Sequence, residues 1–206
     1  DYTKNTKKLM GTAIPKFTTS AEVKFHVLSK KGFVGLIIYN RGVDYLKHGD
    51  SARAIVDFTN SLRLVPELPD NYKNRGALYI KGGKYADAAK DFRQAMRLEP
   101  DCPLSYFNLG VAYLNLNELR DARKNFDRAI ELAAERRRSP DYFGDDYADA
   151  YLNGGLVYYK LGQMNPALKS ITGAIDILRE IITTGEADDE TNDSLARAYY
   201  NRGLVY

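Results

Sequence analysis

Cysteine and histidine are nearly absent from this sequence, which holds one cysteine, Cys102, and two histidines, His26 and His48, among 206 residues. A lone cysteine closes no internal disulfide, and without Cys or His neighbours it anchors no structural zinc, so Cys102 reads as a passive loop residue. Neither histidine belongs to a metal-binding pair of the HExxH kind, and no nucleophile elbow or phosphate-loop signature occurs. Long apolar runs are missing too. The nearest, Phe33-Val-Gly-Leu-Ile-Ile38, is far short of the roughly 20 residues needed to cross a bilayer. These gaps point away from an enzyme, a metalloprotein and a membrane-spanning chain, and no cofactor is expected. The chain opens on Asp1 rather than Met, so the compartment stays open; a soluble protein is expected, with the cytoplasm favoured.

What is present is an ordinary globular mixture, 44% apolar and 28% charged, which can bury a core. The net charge of +3 is uneven: seven lysines stand in residues 1–34 against Asp1 and Glu22. Residues 1–19 therefore read as a basic arm, solvated at a chain end. Ser20-Ala-Glu-Val-Lys-Phe-His-Val-Leu-Ser29 has the spacing of an amphipathic helix, with Thr19 or Ser20 as its N-cap, and a capping helix is expected over 20–32.

Sliding the remainder against itself aligns Tyr39-Asn-Arg-Gly42, Lys73-Asn-Arg-Gly76, Phe107-Asn-Leu-Gly110, Leu152-Asn-Gly-Gly155 and Tyr200-Asn-Arg-Gly203. The first two intervals are 34 residues, the third 45 and the fourth 48, so extra residues enter near 135–147 and 180–193. Three residues after each glycine comes Tyr45, Tyr79, Tyr113, Tyr158 or Tyr206. Four before it comes Ile38, Tyr72, Tyr106, Tyr151 or Tyr199, a helical spacing. Twelve residues on stands Ala54, Ala88, Ala122 or Ala167, and four further Phe58, Phe92, Phe126 or Ile171, the signature of a second helix. Between the two lie His48-Gly-Asp50, Lys81-Gly-Gly83, Asn115-Leu-Asn117 and Leu161-Gly-Gln163, turn formers that stop a helix. Ser61, Ala95, Ala129 and Ala174 supply another small position, and Pro66 and Pro100 close the second helix of the first two copies.

In this register the sequence resembles the tetratricopeptide repeat over residues 35–206. The resemblance implies an all-α, right-handed α-α superhelix, with repeats at 35–68, 69–102, 103–136 and 148–181 and a truncated copy at 196–206. Ile38, Ile171, Ala134 and Arg179 depart from the pattern. The last two replace the closing proline, so the second helices of the third and fourth copies are expected to run on. The last copy stops inside its first helix, and its uncovered apolar face leads to the expectation that the natural chain continues past Tyr206 or that another chain caps it.

The resemblance also implies that the first helix of each pair lines a concave wall. There, two residues before each glycine, stand Asn40, Asn74, Asn108, Asn153 and Asn201. With about one asparagine in sixteen residues, five chance matches in one chosen column are on the order of one in a million. Helix interiors disfavour asparagine by several tenths of a kcal/mol. A carboxamide both donates and accepts, so it suits the backbone of an extended peptide. The column resembles the asparagine ladders of tetratricopeptide proteins that bind extended segments; the alternative is that each amide bonds a neighbouring repeat and sets the superhelical rise. Lys47, Lys81, Asn115 and Lys160 lie seven residues on, and Tyr39, Lys73, Phe107, Leu152 and Tyr200 immediately precede the asparagines. Together they describe a mildly basic, amphipathic groove for a partner with acidic residues and an apolar anchor. A carboxylate clamp for chaperone tails is not expected, because Leu36 and Leu104 stand where it needs basic residues, and Asp70 and Asp149 would repel a terminal carboxylate.

Remaining motifs read as structure. Lys81-Gly-Gly-Lys84 is a turn, Arg136-Arg-Arg-Ser-Pro140 a solvated helix end, and Glu186-Ala-Asp-Asp-Glu190 a solvent-facing linker without calcium-loop spacing. The expected function is a protein-interaction scaffold or adaptor. The rivals are a structural subunit that uses its outer faces and the insertions, where Tyr142 and Phe143 would matter most, and a regulatory module of a longer enzyme. Nucleic acid is not expected, since the basic residues are not interleaved with aromatics.

Overall fold

The computed structural model describes residues 30–136, 145–185 and 187–206, and places nine helices and no strand among them. The chain divides into two compact units, Asp1–Pro100 and Asp101–Tyr206. The first contains α1 (Lys30–Lys47), α2 (Ser51–Leu64), α3 (Pro69–Lys81) and α4 (Tyr85–Leu98). The second contains α5 (Pro103–Asn115), α6 (Leu119–Arg136), α7 (Asp145–Lys160), α8 (Met164–Thr184) and α9 (Asp189–Val205). The arm at 1–19 and most of the 20–32 helix lie outside the described residues; Lys30–Gly32 form the first turn of α1. Tyr142 and Phe143 also lie outside.

Each helix pair closes on a steric lock between its glycine and the large residue sixteen positions on. A Cβ on Gly42, Gly76, Gly110 or Gly155 would stand 2.9, 3.0, 2.8 or 2.7 Å from Phe58, Phe92, Phe126 or Ile171. Hydrogen at that position lets the ring lie directly on the facing backbone, and close packing turns the apolar area into stability. The three phenylalanines, Ile171 and the alanines four residues before them are fully buried, as are Ser61, Ala95, Ala129 and Ala174.

The turns fall where the sequence puts them. Gly49, Gly83 and Gly162 take φ of 79°, 71° and 73°, and Asn117 fills the same slot of the third pair at 60°. Glycine adopts that left-handed backbone freely, and asparagine is the side chain that tolerates it best. α2 and α4 stop after 14 residues, two short of Pro66 and Pro100, whereas α6 and α8 run to 18 and 21.

Polar bonds stitch the first unit. Ser61 Oγ donates to the Gly35 carbonyl at 2.7 Å and receives Asn71 Nδ2 at 2.8 Å, so one hydroxyl joins α1, α2 and α3. In the second unit Ser170 Oγ donates to the Tyr151 carbonyl at 2.8 Å.

Cys102 is buried at the N-cap of α5, while Asp101 before it is exposed. One local reading is corrected. The acidic stretch 188–190 is no plain linker: Asp188 caps α9, accepting from Thr191 N at 3.0 Å, while Thr191 Oγ1 accepts from Asp188 N at 3.3 Å. Asp189 and Glu190 then sit in the first turn, where the helix dipole favours acids. Asp188→Ala is expected to lower stability by about 1 kcal/mol, read from thermal melting, with Asp188→Asn retaining most of it.

Candidate functional site

In the first unit, α1 and α3 bring Tyr39, Lys73 and Asn74 into one polar cluster. Asn74 is 4% exposed, and its Nδ2 donates to Tyr39 Oη at 3.3 Å, linking the first helices of successive pairs. Lys73 Nζ lies 2.6 Å from Asp70 and 2.8 Å from Glu99. The basic character expected at Lys73 is therefore cancelled inside the cluster. Burial, reinforced by the Asp70 charge, pushes the Tyr39 phenol up to about 12, partly offset by the Asn74 bond and Lys73. Its ring tilts against Phe58 with centroids 5.8 Å apart. Asn40, Lys47 and Lys81 are exposed.

The arginines of the first two Asn-Arg-Gly triplets have a role that reading the sequence missed. Arg41 donates to both oxygens of Asp57 at 2.7 and 2.8 Å, and Arg75 to both of Asp91 at 2.8 and 2.7 Å. Arg75 also donates to Thr59 Oγ1 at 3.0 Å, from the second pair to the first. Burial pushes the Asp91 carboxyl up, and the bidentate guanidinium offsets part of that rise. A recurring sixteen-residue separation of Arg and Asp was the available signal.

In the second unit the expected residues part ways. Asn108 is 2% exposed, and Phe107 is equally buried, its ring 5.8 Å from that of Phe126, so Phe107 serves the core and offers no open surface. Asn153 is half-buried and turns its Nδ2 to the Asp149 carbonyl of its own helix at 2.8 Å. Asn201 is half-exposed and Lys160 exposed. The five asparagines thus occupy one helical position but not one environment. Tyr158 donates to Asp127 Oδ1 at 2.8 Å, and burial with that bond raises its phenol to about 12.

Both phenols are held protonated by the fold, so the stability they lend is full below the ordinary tyrosine range near pH 10 and is lost as pH climbs through about 12. Melting temperature is expected to fall across that window, and to fall less steeply in Tyr39→Phe/Tyr158→Phe.

Among the described residues no cluster of three or more His, Cys, Asp or Glu is placed to hold a metal, and no helix is long and apolar enough to cross a membrane.

Residues 73–142 match the family model described as tetratricopeptide repeat. No curated protein matches the chain. Among solved structures, it is similar to the MamA protein at 25% identity and a TM-score of 0.64, over 84% of this chain and 85% of that one. MamA residues 41 to end from Desulfovibrio magneticus RS-1 match at 18% identity and 0.62, over 86% and 94%. The first such domain of Spaghetti (RPAP3), bound to the HSP90 peptide SRMEEVD, matches at 26% identity and 0.53, over 62% and 93%.

Proposed function

Since the chain is built of tetratricopeptide repeats, we propose that it is a scaffold that binds an extended segment of a partner protein along the first helices of its pairs, acting by assembly rather than catalysis. The observation that carries this is the asparagine found at one position of all five first helices, α1, α3, α5, α7 and α9. The similar RPAP3 domain was solved with a peptide, which supports this mode of use. Exposed Asn40 is the amide open to a partner, Asn74 and Asn108 being 4% and 2% exposed, and the exposed Lys47, Lys81 and Lys160 meet acidic residues flanking an apolar anchor. A chaperone-type terminal carboxylate fits poorly, because Asp70 and Glu99 already hold Lys73. Summed amide contributions near 1 kcal/mol each, less the association cost, place affinity at about micromolar.

The test is a peptide selected against the whole chain from a displayed random library, labelled and titrated by fluorescence anisotropy. Asn40→Ala/Lys81→Ala, both at exposed positions that leave the core untouched, is expected to weaken it about tenfold, and Lys81→Glu/Lys160→Glu at least as much. Undiminished affinity in both pairs would overturn the reading.

A further inference from the structure

α4 turns an unbroken row of cations to solvent. Lys90, Arg93 and Arg97 stand three and four residues apart, within about 60° of one another around the helix, and all three are exposed. Arg63, at the same repeat position on α2 as Arg97 on α4, is exposed as well. The guanidiniums of this unit fall into two sets. Arg41 and Arg75 each hold an aspartate through two bonds, and Arg53 holds Asp50. Arg63, Arg93 and Arg97 instead bond to Asn60 at 3.2 Å, the Ala89 carbonyl at 3.1 Å and Gln94 at 3.4 Å, with no carboxylate in ion-pair range among the described residues. Lys90 lies 3.0 Å from Asp87, an exposed pair worth little in water. The repeat does not ask for this charge, since α6 has Asp127 and Glu131 where α4 has Arg93 and Arg97, and α8 has Thr172 and Asp176. Like charges one turn apart also weaken a helix, so the row works against α4 itself.

We propose that this row is a docking surface for an acidic helix of a partner protein, with carboxylates at i, i+4 and i+7. Lys90 and Arg97 are about 10 Å apart along the axis, the span of those positions on a helix laid antiparallel, so i meets Arg97, i+4 meets Arg93 and i+7 meets Lys90. Each guanidinium presents a flat pair of donors that a carboxylate takes with both oxygens. Leu98, beside the row, is 40% exposed and offers an apolar contact on which a leucine of the visitor rests. No aromatic side chain stands in the row to stack on bases, which favours protein over nucleic acid. The row lies on the second helix of its pair, whereas the asparagine column lies on first helices, so the two surfaces are tested apart.

The probe is an alanine-based helical peptide of about 20 residues, with glutamate at those three positions and leucine following the first, titrated against the whole chain by anisotropy. A Kd of about 100 µM is expected at low salt. Arg93→Glu/Arg97→Glu is expected to abolish binding and to gain it for a peptide with lysine in place of glutamate, an exchange that a misfolded variant would not show. Arg93→Lys/Arg97→Lys, which keeps the charge and loses the flat donor pairs, is expected to weaken binding about threefold. Asn40→Ala/Lys81→Ala, in the groove, is expected to leave it within about twofold. Failure of the unaltered chain to bind, or indifference to the charge exchange, overturns the proposal, as does a loss caused by the groove pair alone. Duplex DNA that binds more tightly than the peptide, and is released by Arg93→Glu/Arg97→Glu, would give the row to nucleic acid and overturn its assignment to a protein.

Discussion

Phe126→Ala is expected to lower the free energy of unfolding by about 3–5 kcal/mol, measured by urea titration followed by circular dichroism. The ring is fully buried and rests on Gly110, where a Cβ would stand 2.8 Å away. It also faces Phe107 with ring centroids 5.8 Å apart. Truncation therefore opens a cavity between α5 and α6, at the closest approach of the two helices. Such a loss is a large share of the roughly 5–15 kcal/mol that holds a domain folded. Phe126→Ile is the informative companion. Ile171 fills the same slot in the fourth pair, so a branched aliphatic is compatible with the lock, and a cost of about 1–2 kcal/mol is expected. A loss below about 1 kcal/mol for the alanine variant would show that the slot is not closed.

The second large effect concerns Asp91. Asp91→Ala strands the Arg75 guanidinium, whose side chain is 16% exposed, and is expected to cost about 3–5 kcal/mol. The third pair supplies the control, for Leu109 and Asn125 stand where Arg75 and Asp91 stand in the second. Leu109 is buried, and Asn125 Nδ2 satisfies itself on the Asp121 carbonyl at 2.8 Å. Arg75→Leu/Asp91→Asn therefore should recover most of the loss, leaving about 1 kcal/mol for the lost Thr59 bond. Equal losses in the single and the double variant would mean that the ion pair itself, rather than an unpaired charge, decides stability. Thermal unfolding of the three proteins at one salt concentration separates the outcomes.

What the sequence disclosed were steric matters. A glycine opposite a phenylalanine, a left-handed turn residue and a terminating proline each admit few side chains, so their columns survive as visible repetition. Electrostatic partnerships left weaker traces. Lys73 reads as an exposed groove cation until Glu99, 26 residues on, folds back onto it. Asn74 and Asn153 share a column, yet one reaches a neighbouring tyrosine and the other its own helix. Long polar side chains have several partners within reach, and only the assembled fold selects among them. Phe107 was misjudged because a residue beside the asparagine could face ligand or core, and the helical period alone does not distinguish the two. Asp188 was hidden within a run of acids that, as composition, looks like solvated loop.

The interval of 48 residues before the last glycine has a geometric reading. α8 is 21 residues long where α4 has 14, and α9 begins fourteen residues ahead of Gly203 where α3 and α5 begin seven ahead of Gly76 and Gly110. The 14 extra residues are thus shared as one heptad on each arm of the hairpin, lengthening both by about 10 Å. A heptad turns a helix through nearly two whole revolutions, with a drift of about 20°, so the residues beyond the added stretch return to their former azimuth. Growth by sevens elongates the hairpin like a telescope while every lock keeps its phase, whereas growth by five or six would have swung Ala198 out of the core and Tyr200 into it.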